Sequence, residues 1–149
     1  MEQIFIQETN FDKARKKINE NKGKSIIFSS DDDELNRKIL EKESITILLL
    51  NQKNKKDFQK QRNSGLNGVL AKIAKKKNIL IGINLDELIN SDEKEKSEII
   101  ARIKQNIRLC NKNKVKMKIV SKSNKRNNID LEALGLVLGM PTWMIKELQ

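Results

Sequence analysis

No histidine occurs among the 149 residues, and tyrosine is absent too. Without imidazoles there is no Ser-His-Asp or Cys-His triad, no histidine acid–base catalysis and almost no route to a zinc or di-iron centre. Chemistry built on carboxylates alone, or on a lysine, stays open. The single cysteine, Cys110, forbids an internal disulfide and fits a reducing compartment, so the expected location is cytoplasmic. Aromatic residues make up 3%, with one Trp and four Phe, which leaves little for stacking on bases. Long apolar runs are missing as well: Ile45–Leu50 is about a third of the roughly 20 residues a membrane span requires. The opening Met1-Glu2-Gln3 is acidic and polar, unlike a cleavable signal. A soluble chain with no membrane partner is expected.

What the chain has in excess is positive charge. Lys and Arg number 31 against 20 Asp and Glu, a net charge of +11. The excess sits in two blocks. Residues 53–77 hold 9 basic side chains and one acid, and residues 102–126 hold 10 and none. Such blocks can be plain solvated faces, but two of them on one small domain make nucleic-acid phosphate the natural partner. Neither carries the amphipathic helix with Trp or Phe on its apolar face that an anionic membrane would need.

Apolar runs alternate with helical patterns. Strands are expected at Ile4–Ile6, Ser25–Phe28, Ile45–Leu50, Ile79–Ile83 and Val115–Val120. Helices are expected at Asn10–Glu20, Asp31–Lys42, Gly65–Lys77, Asp92–Lys112 and Asp130–Leu138, with a short one after Pro141. Thr9-x-x-Asp12 and Ser30-x-x-Asp33 read as capping boxes, and Ser91 precedes Asp92 and Glu93 in the same way. The run Asp31-Asp32-Asp33 complements a helix dipole rather than chelating a metal, because successive helical residues point about 100° apart. Five β–α repeats imply one α/β domain over residues 1–149 with a parallel sheet, either doubly wound or part of a barrel. A closed eight-fold barrel takes about 250 residues, so about five strands would make a shortened or incomplete one. In the last strand Lys116 and Lys118 alternate with Val115, Met117 and Ile119, so one face meets solvent or a partner and the lysines blunt a sheet edge.

In the long helix, Ile99, Ile103, Ile107 and Cys110 form an apolar stripe, which assigns the thiol to the core. Lys104, Arg108 and Lys112, spaced by four, make a basic ridge beside it, with the amides of Gln105 and Asn106 close by. No acid occurs from Arg102 through Arg126, so the ridge has no partner along its own helix. In the other block, Asn63 or Ser64 is expected to cap a helix whose first N–H groups, beside Arg62, could cradle phosphate. No Gly-Lys-Ser/Thr follows, so it is not a Walker loop. Packing accounts for Leu66, Val69, Leu70 and Ile73 but leaves Arg62, Asn67 and Lys72 unexplained. Phe58 is the only aromatic near either block.

The segment Asp57-Phe58-x-x-x-Arg62-x-Ser64-Gly65-Leu66-Asn67-x-Val69-Leu70-Ala71-Lys72-x-Ala74 closely resembles the signature of the archaeal ribonuclease P protein component 3 family, the thirty-kilodalton subunit in eukaryotes. The resemblance extends to Ser29-x-Asp31-x-x-x-Leu35-Asn36-Arg37-Lys38 and to Ala101-Arg102-x-x-Gln105-Asn106-Ile107-Arg108-Leu109-Cys110. It ends at Leu134-Gly135-x-Val137-Leu138-Gly139-Met140, so it covers residues 29–140.

This resemblance implies a TIM-barrel-like fold and a place in the ribonucleoprotein that removes the 5′ leader from precursor tRNA. In that family the RNA with its bound Mg²⁺ carries the chemistry, so the protein binds no cofactor itself and has no catalytic residue of its own. It works there with the small subunit called component 2, and further subunits or a second copy of the chain are possible neighbours. The related phosphoesterases hold their metals with several His and Asp, a set this sequence cannot build. The expected RNA-binding residues are Arg37, Lys38, Arg62, Asn67, Lys72, Arg102, Lys104, Gln105, Asn106, Arg108 and Lys112. Lys116, Lys118, Trp143 and Met144 are the expected partner interface, because Ile129, Leu131, Leu134, Val137 and Leu138 already exceed one buried stripe. Two alternatives stay open: a general RNA-binding protein outside ribonuclease P, and a carboxylate-metal phosphoesterase using Asp31 or Asp33.

Overall fold

The computed structural model describes residues 2–148; Met1 of the acidic opening lies outside them. In chain order the elements are β1 (Gln3–Gln7), α1 (Phe11–Glu20), β2 (Ser25–Ser29), α2 (Asp33–Lys42), β3 (Ile47–Leu50), α3 (Gly68–Lys77), β4 (Leu80–Asn84), α4 (Leu85–Asn90), α5 (Glu93–Asn113), β5 (Met117–Val120), α6 (Asn128–Leu138) and α7 (Thr142–Lys146). Every expected strand and helix occurs. The short α4 is additional: it starts directly after β4, with Asn84 ending the strand and accepting from the Glu87 N–H as N-cap. Its two buried leucines, Leu85 and Leu88, are too few to stand out as a periodic stripe.

All five strands are parallel and lie in the order β1-β2-β3-β4-β5, with β1 and β5 unpaired to each other. A doubly wound sheet reverses its strand order; this one never does. The arrangement is an open segment of a TIM-barrel-like fold. Crossovers of one hand that always step the same way place the helices on one face, and the core divides accordingly. Ile26, Phe28, Leu48, Leu50, Ile81, Ile83 and Met117 point to the helices and join the main core, where Phe28 is fully buried. Their alternating neighbours Ile27, Ile47, Leu49 and Val120 form a second, smaller cluster on the inner face, against Phe5 and Leu80. Gly82 lies on that inner face. A Cβ there would stand 2.9 Å from Ile47 Cγ2 and 3.0 Å from Leu49 Cδ1, so its absence lets β3 and β4 pack side chains across the concave surface.

Helix starts depart from the expected caps in a consistent way. Asn10 rather than Thr9 caps α1, Asp32 caps α2 and Asp92 caps α5. Ser30 supports its cap from outside, accepting from the Asp32 N–H at 3.0 Å. Helix α3 begins at Gly68, capped by Asn67, which accepts from the Leu70 N–H at 2.9 Å. Residues before it, including Gly65 at φ +79°, belong to a loop. Asn, Asp and Ser are comparable caps, so the one that serves is the one standing where the chain turns into the helix. Within α5 the stripe Ile99, Ile103, Ile107 and Cys110 is buried as expected.

A candidate nucleic-acid interface at the carboxyl ends of the strands

Two basic loops leave the carboxyl ends of β3 and β5, the strands on either side of β4. Residues 51–67 follow β3 and carry Lys53, Lys55, Lys56, Lys60 and Arg62; residues 121–127 follow β5 and carry Lys122, Lys125 and Arg126. Neither has regular structure, so each must find partners for its backbone outside itself.

The first turn of α4 holds both. Glu87 accepts from the backbone N–H groups of Gln52 at 2.8 Å and Lys53 at 3.0 Å. Asp86 accepts from the Ser121 hydroxyl at 2.6 Å, from the N–H groups of Lys122 and Asn124 at 2.8 and 3.1 Å, and from the Asn124 amide at 2.9 Å. Burial alone would raise the Asp86 pKa, but these donors act together and bring it down to about 2. At Glu87 burial wins: its pKa lies above the usual carboxylate value despite the two N–H donors, with Asp31 adding repulsion.

The longer loop is braced a second time, from α5. Arg102, only 3% exposed, donates from Nε to Asp57 at 3.0 Å, from Nη1 to the Gln52 carbonyl at 3.1 Å and from Nη2 to the Lys55 carbonyl at 2.8 Å. Asp57 also accepts from the Asn63 N–H at 3.0 Å, and this bond, ahead of the contribution of Arg102, lowers its pKa. Gln105 Nε2 donates to the Arg62 carbonyl and the Ser64 hydroxyl, both at 3.2 Å. Asn106 Nδ2 and Gln52 Nε2 share the Ser64 carbonyl at 3.2 and 2.8 Å. Lys55 is tied to Asp33 at 2.6 Å, while Lys53, Lys56, Lys60 and Arg62 point into solvent. The geometry holds the backbone rigid and leaves the cations free, an arrangement suited to phosphate.

The expected site residues therefore divide. Arg62, Lys72, Arg108 and Lys112 are exposed. Asn67 is exposed, with its side-chain oxygen used as a cap. Arg37 and Lys38 are exposed on α2, where Arg37 pairs with Glu41 at 2.9 Å. Lys104 is exposed on the side of α5 that faces α6. Three expectations are corrected. Arg102 and Asn106 are buried and spend their donors on the 51–67 loop, so neither is a surface contact. Half-buried Gln105 does the same. The signal for this was present: Arg102 lies in an acid-free stretch and so lacked a local counter-charge, while Asp57 is the one acid in the other basic block. Sequence reasoning did not single out Gln52, Asp86 or Glu87.

The expected partner interface changes as well. Met144 is 0% exposed and sits in the core. Trp143 is half-buried, donates from Nε1 to Asn111 at 2.9 Å and lies under the Lys114 ammonium at 5.4 Å, so it fastens α7 to α5. Lys116 and Lys118 both reach Glu147, the former at 3.4 Å to its carboxylate and the latter to its carbonyl. The edge lysines thus bind the chain's own end.

Between the two basic loops lies a polar pocket of about 270 Å³, lined among others by Asn51, Lys53, Asn84 and Lys122. The Lys122 ammonium stands 4.7 Å over the Phe5 ring at its floor. Among the described residues, no group of three His, Cys, Asp or Glu is placed to hold a metal ion. Burial pushes the Cys110 thiol up to about 12, which keeps it protonated and inert. No helix of the described residues is long and apolar enough to cross a membrane.

No family model matches the chain. Among solved structures, a chain of "cryo-EM structure of archaeal Ribonuclease P with mature tRNA" has the same fold, with a TM-score of 0.77 and 23% sequence identity. The likeness covers 97% of this chain and 62% of that one, so the present chain spans less than two thirds of the neighbour's length.

Proposed function

We propose that this chain is a cytoplasmic protein subunit of ribonuclease P, the ribonucleoprotein that removes the 5′ leader from precursor tRNA. One observation carries the reading. Two stretches resembling component 3 signatures, Asp57–Ser64 and Arg102–Asn106, meet in a single hydrogen-bonded brace, on a fold shared with a chain of archaeal ribonuclease P.

In this reading the chain binds RNA and does not cleave it. The RNA with its Mg²⁺ supplies the chemistry, and component 2 is the protein partner. Lys56, Lys60 and Arg62 on the braced loop, Lys72 on α3, and Arg108 and Lys112 on α5 contact phosphates. These surfaces adjoin, since α3 packs on α5 and α5 holds the loop. Phe5, the aromatic on the inner sheet face, is already covered by the Lys122 ammonium, which favours backbone contacts over base readout.

Affinity purification of the tagged chain tests the proposal. The co-purified particle should contain an RNA that cleaves precursor tRNA in Mg²⁺, and adding the chain to that RNA with component 2 should raise cleavage. A chain that purifies without such RNA and leaves reconstituted cleavage unchanged refutes it.

A further inference from the structure

The exposed large hydrophobic side chains among the described residues are few, and three of the five lie on α6: Ile129 and Val137, more than three quarters exposed, and Leu136, two thirds exposed. Next to them, α4, α5 and α6 enclose an open groove of about 560 Å³. Its walls are Leu88, Ile89, Ile100, Leu131, Leu134 and Val137. Its rim is basic: Lys96, Lys104 and Arg126 stand around it, and none has an ion-pair partner among the described residues. Asp130 is the only acid in the lining.

We infer that this groove seats an amphipathic helix of another protein, with an apolar stripe on the floor and acidic residues against the basic rim. The apolar walls call for apolar side chains, and grooves between helices receive them at helical spacing. The rim fixes the sign of the occupant. A second copy of this chain docking groove to groove would bring the same cations to the same rim and be repelled. RNA would satisfy the rim but leave the floor without apolar contact. The groove lies on the helix layer at α4–α6; it shares Arg126 with the 121–127 loop but none of the cations proposed above to contact phosphate. Its failure and that of the RNA reading are therefore separable.

Two synthetic amphipathic helices test this on the full chain: one with a leucine stripe flanked by glutamates, and a twin with lysines in their place. The glutamate peptide should shift the methyl resonances of Ile100, Leu134 and Val137, and should bind about tenfold more tightly than its twin, the sum of three modest rim pairs. Val137→Asp, at an exposed position, should abolish that binding without moving the melting temperature. Lys96→Glu with Lys104→Glu should reverse the preference between the peptides. Several results overturn the inference: equal affinity for the two peptides, no binding of either, self-association that Val137→Asp disrupts, or an RNA oligonucleotide shifting these methyls when the glutamate peptide does not.

Discussion

Asp86 and Glu87 are adjacent in the first turn of α4, yet each fastens a different basic loop: Asp86 the one after β5, Glu87 the one after β3. A six-residue helix thereby fixes the spacing between two positively charged segments from two different strands. The two carboxylates pay opposite electrostatic consequences for this, since hydrogen bonding dominates the net shift at Asp86 and burial dominates at Glu87.

That opposition predicts opposite pH slopes. Asp86, held at about 2, stabilises the fold fully above its ordinary value of 3.8, and the contribution fades as pH falls toward 2. Glu87 binds its proton more tightly when folded, so its contribution is greatest below 4.5 and declines as pH rises through its raised folded value. In denaturant melts, Asp86→Ala should cost about 2–3 kcal/mol near neutral pH, because several donors lose one acceptor. The gap to wild type should narrow from pH 4 to about 2. The gap between wild type and Glu87→Gln should change with pH in the other direction. Parallel slopes for the two variants would refute the assignment.

Arg102 and Arg62 predict two different kinds of loss. Replacing buried Arg102 by Ala strands Asp57 and two loop carbonyls, and should cost about 3 kcal/mol and expose residues 51–67 to proteolysis. Replacing exposed Arg62 should leave stability within about 0.5 kcal/mol. In RNA binding the order reverses in kind: Arg62→Ala should reduce the slope of log affinity against log salt by about 0.7–0.9. Arg102→Ala should weaken binding through the disordered loop. Arg62→Ala with an unchanged salt slope would remove that residue from the RNA face.

The sheet was legible because its strands are dense apolar runs, and parallel strands buried on both faces require nothing else. The order of the strands was not. Five β–α repeats fit a doubly wound sheet or a barrel segment equally, and only the strand order, which runs β1 to β5 without reversing, decides. The site was half legible. Arg62, Lys72, Arg108 and Lys112 read as surface cations and are exposed. Arg102 misled because charge is read locally along a sequence, whereas its partner Asp57 lies 45 residues away. Asp86 and Glu87 were overlooked for the same reason: as first-turn acids of a helix too short to announce itself, they have partners 34 or more positions away on either side.

Trp143 gives the third prediction. Its indole N–H reaches Asn111 and its ring lies under Lys114, which makes it the clasp between α7 and α5 rather than a free surface. Trp143→Ala should destabilise the isolated chain by about 2–3 kcal/mol, somewhat below the cost for a fully buried aromatic. Trp143→Phe should recover the packing but not the hydrogen bond, leaving a deficit of about 1 kcal/mol. A variant that melts like wild type but fails to assemble with protein partners would return Trp143 to an interface.

Gly82 carries the last prediction, because it tests how tightly the inner face is packed. Its backbone does not occupy the left-handed region, so replacing it by Ala introduces no dihedral strain, only a methyl group. That methyl would meet Ile47 Cγ2 at 2.9 Å, on a β-branched side chain with little freedom to turn away, and the Leu49 backbone Cα at 3.3 Å. Gly82→Ala should therefore destabilise by about 1–3 kcal/mol, the usual cost of overpacking. Ile47→Ala alone should cost about 2–4 kcal/mol by opening a cavity in the small inner cluster. In the double variant the new methyl occupies part of that cavity, so the combined loss should fall at least about 1 kcal/mol short of the two single losses added. Equilibrium denaturation of the four proteins closes the cycle. Strict additivity would mean that β3 and β4 do not pack against each other across the concave face, and that the sheet is flatter than the contact at Gly82 requires.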